Sequence, residues 1–206
     1  MLPTWHDQEF AERDFGQADL AAAELRGCRF TRCRFRGASL VEASTRACVF
    51  AECDFQGARL ASSRHQGSQF LSCRFGMTDL FGAHFEDCKL VGTTFLEADL
   101  SAATIDGGDW SYVALRHATL AGLDLRGLRL VEADLYGGDL RGADLRGADL
   151  SRAVLGQARL RGADLRGATL AEVDLGGLDV HGVRLDMAQA VHLARCLGAR
   201  IDDIDA

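Results

Sequence analysis

The sequence predicts an all-β solenoid built from four-sided coils, followed by a short C-terminal α-helix, and three observations support this. Apolar residues recur at every fifth position from Phe10 to Leu185, and only Thr45 and His65 depart from the series. Glycine occupies 16 of the positions that lie two residues after a member of that series. Phenylalanine pairs and cysteines recur at every fourth repeat. A period of five fits neither an α-helix, with 3.6 residues per turn, nor an ordinary strand, with a period of two.

The five-residue unit predicts which side chains face the core. We refer to the recurring apolar residue as position i. Small residues predominate at i−2, so positions i and i−2 are predicted to point inward, and positions i−1, i+1 and i+2 outward. Glycine tolerates a positive φ, and its recurrence at i+2 therefore indicates a turn in every repeat.

The 20-residue recurrence indicates that four repeats close one coil, so that like residues stack along the axis. About nine coils then follow from residue 6 to residue 186, and at ~4.8 Å per coil the rod is ~43 Å long. Residues 1–185 are predicted to form the β-helix, and residues 186–206 a capping and dimerisation helix with a tail. The phenylalanine pairs are Phe10/Phe15, Phe30/Phe35, Phe50/Phe55 and Phe70/Phe75.

Both ends of such a rod are open sheet edges that need a cap. Trp5, just before the first repeat, is predicted to cover the N-terminal edge. After Leu185 the pattern becomes helical, with Asp186 suited to the N-cap and Gly198 to the C′ position. One helix face is predicted to cap the last coil, and the apolar residues left over are predicted to join two copies into a homodimer. The predicted capping face consists of Met187, Ala190, Val191 and Ala194, and the residues left over are Leu193, Leu197 and Ile201. The predicted dimer interface consists of Met187, Val191, Leu193, Ala194, Leu197 and Ile201.

Composition limits the possible partners. The net charge is −7 and the pI about 5.3, which argues against direct nucleic-acid binding, because phosphates favour a basic surface. No secretory signal or membrane span is recognisable, so we expect a cytoplasmic protein without a membrane partner. Six of the seven cysteines occupy i−2, where we expect small buried side chains rather than a metal site; inter-coil disulfides such as Cys28–Cys48 are within reach, but the cytosol disfavours them.

Nothing in the sequence indicates catalysis. It contains no P-loop, GxSxG, HExxH or CxxC motif, and carboxylates on a convex rod line no pocket. We therefore expect no enzyme activity, no cofactor, no metal and no small-molecule substrate.

The acidic residues at i−1 are the candidate binding residues. Stacked on a 20-residue coil, Asp124, Asp144 and Asp164 form a ladder, which Arg126 and its equivalents flank. Two interpretations are equally open: a solvated surface on which aspartate suits the turn, or an imitation of the phosphate charges of DNA. The predicted partner-binding residues are Asp124, Asp144, Asp164, Asp134, Asp139, Asp149 and Asp174.

The A(D/N)LXX repeats, which are clearest in GADLRGADLSRA at 142–153, resemble those of the pentapeptide-repeat proteins. Within that family the chain is similar to the MfpA and Qnr type, through ECDFQGARLASSRHQGSQF at 52–70 and RLDMAQAVHLARCLG at its end. It lies nearer to the MfpA side, because no loop interrupts its repeats. The resemblance implies a right-handed quadrilateral β-helix. It also implies a dimeric DNA mimic that binds DNA gyrase and protects it from quinolone-like inhibitors.

Other functions stay open at this point. A gyrase-protecting immunity factor of an antibiotic producer would share the mechanism, whereas a scaffolding solenoid would bind a different protein. The sequence does not indicate which gyrase surface is contacted, or whether inhibition or protection results.

Overall fold

The computed structural model describes residues 4–201 and shows a right-handed four-sided β-helix that ends in one α-helix. Short parallel strands form two sheets, one of six strands that begins with residues 4–6 and one of four strands that begins with residues 9–11. Strand partners lie one coil of four repeats apart, as in the pairing of Phe30 with Phe50. The elements are β1 Thr4–His6, β2 Glu9–Ala11, β3 Glu24–Arg26, β4 Arg29–Thr31, β5 Ser44–Arg46, β6 Val49–Ala51, β7 Arg64–Gln66, β8 Gln69–Leu71, β9 His84–Glu86, β10 Thr104–Asp106 and α1 Met187–Cys196.

Successive i residues occupy the four faces of the rod in turn. Face 1 carries Trp5 and every twentieth residue after it; face 2 starts at Phe10, face 3 at Phe15 and face 4 at Leu20. Backbone N–H groups at i donate to the carbonyl just before the equivalent position of the next coil, as from Leu145 to Asp164 at 2.8 Å. Because each coil pairs with the next, the backbone polar groups of inner coils need no other partner.

The inward and outward positions are as predicted. Position i and position i−2 are buried along the rod, and the phenylalanine columns stack with ring centroids 4.7 Å apart, as for Phe35 and Phe55. The six cysteines at i−2 are buried thiols in the structure, and none forms a disulfide. Burial is the largest cause that raises the pKa of Cys48 and Cys88 to about 11, which makes both thiols poor nucleophiles near neutral pH.

The turn predicted from glycine occurs in every repeat, whether or not glycine is present. All residues at i+2 from Asp7 to Gly182 have a positive φ, and they include Glu132 at 55° and Tyr112 at 60°. A non-glycine residue tolerates this left-handed region at a modest cost. The uniform geometry explains why glycine is the commonest residue here but is not required.

The two polar i residues form a hydrogen-bonded pair across one coil step, as predicted. Thr45 Oγ1 lies 2.8 Å from His65 Nδ1 and 2.9 Å from Ser68 Oγ, and Ser63 Oγ lies 2.9 Å from His65 Nε2. All four side chains are buried. The polar residues are therefore a satisfied core network rather than a local distortion.

The N-terminal end differs slightly from the prediction. Trp5 does not precede the first repeat but occupies an i position itself, because β1 pairs with β3 and places Trp5 opposite Leu25. Its ring lies 5.2 Å from that of Phe10 and 6.2 Å from that of Phe30. The tryptophan thus covers the aromatic column, as predicted, but from within the first coil.

The helix starts and ends as predicted, but its capping face was wrongly assigned. Asp186 is the N-cap, in a capping box with Gln189, and Gly198 has a φ of 86° after the helix. The face toward the last coil contains Gln189, whose Nε2 donates to Ala168 O, and His192, whose Nε2 lies 2.7 Å from Val173 O. Leu193 and Cys196 also pack on this side.

Unpaired carbonyl groups, rather than apolar contacts, determine which face of the helix covers the last coil. The last coil presents carbonyls that the next coil would have satisfied, and side-chain donors replace the missing N–H groups. Met187, Ala190, Val191 and Ala194, assigned to the cap by spacing alone, lie on the other side of α1, with Met187 79% exposed.

Candidate protein-binding surfaces

The aspartates at i−1 have a structural role in the turn. Their Oδ1 atom accepts a hydrogen bond from the backbone N–H two residues later. Arg126 N donates to Asp124 Oδ1 at 3.2 Å, and Gly176 N donates to Asp174 Oδ1 at 2.7 Å. Such Asx turns favour aspartate at this position for local reasons. An aspartate at i−1 is therefore not by itself a sign of partner binding.

The ladder of Asp124, Asp144 and Asp164 does stack as predicted, but arginines neutralise it. Arg146 Nη2 lies 2.6 Å from Asp144 Oδ2, and its Nε lies 3.9 Å from Asp164 Oδ2. Arg126 and Arg166 repeat this pattern at the same 2.6 Å distance from their own aspartates. The result is an alternating ion-pair network along face 1 rather than a negative stripe.

These pairs also fix the protonation state of the ladder. The hydrogen bond from Arg166 is the largest cause that lowers the pKa of Asp164 to about 2. The equivalent bonds from Arg126 and Arg146 lower the pKa of Asp124 and of Asp144. All three carboxylates are therefore ionised at neutral pH, with their charge largely offset by neighbouring arginines.

The other predicted acidic residues do not converge on one surface. Asp139, on face 4, is buried and held by Arg141 at 2.7 Å and Arg159 at 2.9 Å. Asp134 on face 3 pairs with Arg116 at 3.3 Å, and Asp149 on face 2 accepts from Ser151 Oγ at 2.6 Å. Asp174, in the last coil of face 3, is exposed.

Sequence reasoning missed a group of carboxylates that have few cationic neighbours. Residues 76–109 contain seven acidic residues and the single cation Lys89, for a formal charge of −6, whereas residues 24–75 have nine arginines and four acidic residues, for +5. Within residues 4–201, Asp109 alone of the seven forms an ion pair, with Arg129 at 3.7 Å. We refer to the seven as the acidic belt: Asp79, Glu86, Asp87, Glu97, Asp99, Asp106 and Asp109.

Exposed apolar side chains lie in the same part of the rod. Met77, Phe81, Leu96 and Tyr112 are each more than half exposed, at 54%, 53%, 63% and 54%. Large apolar side chains on the surface, next to unpaired charges, are typical of protein-binding surfaces. The belt is distributed over all four faces, so it surrounds the middle of the rod.

The second candidate surface is the outer side of α1. Met187, Ala190, Val191 and Ala194 follow one another at helical spacing along α1, and Leu197 and Ile201 come after its last residue, Cys196. Met187, Leu197 and Ile201 are exposed. Of the predicted interface only Leu193 lies on the capping side, since it packs against the core. We refer to the following residues as the outer helix stripe: Met187, Ala190, Val191, Ala194, Leu197 and Ile201.

The part of the chain from residue 4 to residue 201 shows no group of histidine, cysteine and carboxylate side chains that could hold a metal ion. Within the same residues no helix is long and apolar enough to cross a membrane.

Comparisons with known proteins agree with this architecture. A structure of QnrB1 after trypsin treatment, described as a plasmid-mediated fluoroquinolone resistance protein, is 26% identical, with a TM-score of 0.63 over 97% of this chain and 90% of that one. Full-length QnrB1 gives a TM-score of 0.73 at 21% identity, over 95% of this chain and 100% of that one.

A third similar structure has a different biological role. HetL, a pentapeptide-repeat protein involved in regulating heterocyst differentiation in the cyanobacterium Nostoc sp. strain PCC 7120, is 27% identical, with a TM-score of 0.52 over 89% of this chain and 87% of that one. No curated protein sequence matches the chain.

The family assignment rests on the sequence itself. The profile described as pentapeptide repeats matches residues 14–50, 28–64, 78–109, 111–147 and 148–186, with eight copies. Together these segments cover most of the rod, and the QnrB1 similarity extends over the whole of it. The chain therefore belongs to the pentapeptide-repeat family and is of the Qnr type.

Proposed function

We propose that this protein is a dimeric DNA mimic that binds DNA gyrase in the cytoplasm and modulates it or protects it from quinolone-like inhibitors. The observation that carries the proposal is the 26% identity to the fluoroquinolone resistance protein QnrB1 over 97% of the chain. The rod shape and the net charge of −7 support it, because an enzyme groove that binds duplex DNA is positively charged and elongated. Binding of this kind needs no catalytic residue.

The acidic belt is the surface we assign to that interaction. Its carboxylates have few arginine partners, whereas each ladder aspartate has one at 2.6 Å. Unpaired charges are the ones that a basic partner would neutralise. This assignment replaces the ladder of Asp124, Asp144 and Asp164 as the principal contact.

Two triple variants with the same change in net charge test this assignment. The belt variant, in which Asp79, Asp99 and Asp106 are each replaced by Asn, should have a weaker effect than the wild-type protein on purified gyrase. A supercoiling assay with and without a quinolone measures this effect. Three exposed charges at ~0.5 kcal/mol each correspond to about a tenfold loss. Asn retains an Oδ1 acceptor for the turns of Asp79 and Asp99.

The matched control changes Asp124, Asp144 and Asp164 to Asn, which alters the net charge equally. A smaller loss is expected, provided that circular dichroism shows equal folding. If the ladder variant lost more activity than the belt variant, the belt would not be the contact surface. No effect of the wild-type protein on gyrase would remove the proposed function.

A scaffolding role with another protein partner is the second candidate, and the similarity to HetL favours it. Capture of gyrase subunits from a lysate would support the first candidate, whereas capture of other proteins without gyrase would support the second.

The outer helix stripe is proposed to join two copies through a two-fold interface. Exposed and half-exposed apolar residues on α1 and just after it are most simply covered by the same residues of a second copy. Light scattering should give a mass of about 44 kDa, twice the 22.2 kDa of one chain. The variant Val191→Glu with Leu197→Glu should give one chain mass, because it buries two unpaired charges in the interface.

Val154→Glu is the matched control, since it places the same charge on an exposed apolar residue of the rod, 49% exposed. It should remain a dimer. A single-chain mass for the wild-type protein at micromolar concentration would contradict the proposed interface.

A further inference from the structure

The backbone ladder between two neighbouring coils is interrupted near the middle of the rod. Phe95 N donates to Ala114 O at 2.9 Å before the interruption, and Trp110 N to Arg129 O at 2.8 Å after it. Between them, within the described residues, no backbone hydrogen bond joins residues 97–107 to residues 117–127. The N–H groups that lack the usual partner are those of Glu97, Leu100, Ala102, Ile105, Gly107, Thr119 and Asp124.

We refer to this interruption as the seam. It runs along face 4 and face 1 and is open to solvent at two clefts. One cleft is lined by residues 96–101 and 116–119, and the other by residues 104–106 together with Asp124 and Arg126. A second interruption of the ladder, at residues 155–160, adjoins the last coil and is expected of an end. The seam, by contrast, has well-paired coils on both sides.

Trp110 accounts for the seam. In a coil of four repeats, position 110 on face 2 is opposite positions 100 and 120 on face 4, at a height midway between them. Its side chain is fully buried, so the indole extends into the interior at the level where Leu100 and Leu120 would otherwise meet. It stacks on Phe95, with centroids 5.6 Å apart at an interplanar angle of 6°.

Gly108, next to this coil's tryptophan, has a backbone conformation that leaves no room for a side chain. Its φ is 100°, and a Cβ there would lie 2.1 Å from Cys88 O. On the far side, Arg129 N reaches Gly108 O only at 3.4 Å. The ladder beside the tryptophan is intact toward the preceding coil, as in Leu90 N to Asp109 O at 2.8 Å, whereas on the opposite side the ladder between residues 97–107 and 117–127 is absent. The indole Nε1 is buried without a hydrogen-bond partner.

The seam also separates two kinds of core. Before it, phenylalanines stack on face 2 as far as Phe70 and on face 3 as far as Phe95; after it, the inward i residues are almost all leucine. At the seam itself the core remains closed, with Leu100 and Leu120 nearly fully buried. What is missing is the cooperative hydrogen bonding that joins every other pair of inner coils on these faces.

We infer that the rod is hinged at the seam: residues 4–96 and 108–186 are two blocks, Trp110 is the wedge between them, and the seam opens without unfolding either block. The belt residues Glu97, Asp99 and Asp106 lie on the hinge. Resting on the proposed function, the hinge lets the acidic belt adjust to the surface of its partner.

Hydrogen exchange tests the hinge without any partner. Amides of Leu100, Ala102, Ile105 and Thr119 should exchange at least tenfold faster than those of Leu80 and Leu140, which donate in intact ladders. The variant Trp110→Leu lacks the large indole side chain, so protection of the same amides from hydrogen exchange should rise by at least tenfold. Seam amides as slow as those of Leu80 in the wild-type protein would overturn the hinge.

A disulfide across the seam tests whether opening of the hinge contributes to partner binding. Ser101 and Ala121 occupy the same outward position in adjacent coils, and disulfides span Cα distances up to ~6.8 Å, so the bond can form across a gap wider than the ladder spacing of ~4.8 Å. Ser101→Cys with Ala121→Cys should, when oxidised, slow seam exchange and reduce the effect on gyrase by about tenfold, both restored by reduction. The matched control is Ser151→Cys with Ala171→Cys, where the ladder is intact at Arg152 N to Ala171 O, 2.8 Å.

The control staple should change neither measurement. Slow seam exchange in the oxidised protein with an unchanged effect on gyrase would overturn the use of the hinge in binding. Absence of any effect of the unstapled protein on gyrase would instead count against the proposed function, while the exchange rates would still decide the hinge.

Discussion

Replacement of Leu145 by Asp is expected to prevent the rod from folding, or to lower its free energy of unfolding by ~3–5 kcal/mol. Leu145 is fully buried on face 1, in the column between Leu125 and Leu165. A carboxylate at this position meets only apolar side chains, and arginines of the surface ladder cannot reach it without entering the core. Because small proteins are stable by ~5–15 kcal/mol, such a loss is a large fraction of the total.

Thermal and urea unfolding measure this effect, and the rod offers two controls. Thr169→Asp introduces the same residue at an exposed i−1 position, where aspartate suits the turn, and should be nearly neutral. Arg146→Ala removes a side chain that is 44% exposed and pairs with Asp144 and Asp164, so it should lower the stability far less than Leu145→Asp, because exposed ion pairs contribute little. Equal stability of Leu145→Asp and Thr169→Asp would mean that the inward and outward positions are wrong.

The coil geometry was predictable because every repeat obeys the same local rule. A five-residue period with a small residue at i−2 determines which side chains face inward, and the 20-residue recurrence of phenylalanine determines the register of Phe30 with Phe50. No tertiary information is needed when each unit contacts only its neighbours. The pairing of Thr45 with His65 followed from the same register.

The ends were less predictable, because the repeat rule stops there. Spacing alone placed Met187 and Val191 against the last coil, but the open carbonyls of Ala168 and Val173 select the helix face that carries Gln189 and His192. Hydrogen-bond demand at a sheet edge thus outweighs apolar spacing on a short helix. The seam could not be predicted either, since Trp110 keeps the five-residue period and only its size disturbs the ladder.

The candidate binding surface was misplaced for a different reason. The longest runs of aspartate at i−1 lie in the consensus repeats, where arginine also recurs at i+1 and pairs with it, as in Asp124 with Arg126. Which charges are paired depends on side-chain conformations that the sequence does not state. The charge of residues 76–109, however, can be counted directly, and that count would have identified the acidic belt.

The buried network around His65 predicts a strong pH dependence of stability. The Thr45 hydroxyl donates to Ser68 Oγ, so the Nδ1–H tautomer of His65 fits the network, with Nδ1–H donating to Thr45 Oγ1 and Nε2 accepting from the Ser63 hydroxyl. This one-way chain suits the neutral imidazole, and a second proton on Nε2 would face the Ser63 hydroxyl. Burial, and to a lesser extent the charge of His84, lowers the pKa of His65 to about 3.

The sign follows from the direction of that shift. In the unfolded chain the histidine pKa is ~6.5. Below that pH, His65 binds a proton in the unfolded state but stays neutral in the folded state. Stability is therefore fully present above pH ~6.5 and falls by ~1.4 kcal/mol per pH unit below it, until the pKa of the folded state is reached. At pH 4.5 the expected loss is ~2.7 kcal/mol, before carboxylates with lowered pKa values, such as Asp164, add theirs at lower pH.

Urea unfolding at pH 7.5, 6.5, 5.5 and 4.5 measures this slope. The comparison protein carries Thr45→Val, Ser63→Ala and His65→Phe together, which replaces three of the four polar side chains with apolar ones. The remaining Ser68 hydroxyl loses Thr45 but still accepts from Cys48 N at 3.2 Å and donates to Gln66 O at 3.4 Å. Its phenylalanine would continue the column of Phe85, on which His65 now stacks with centroids 4.9 Å apart. This variant should lose most of the slope between pH 6.5 and pH 4.5. An unchanged slope would assign the pH dependence to the other histidines, because a residue that no longer titrates cannot contribute to it.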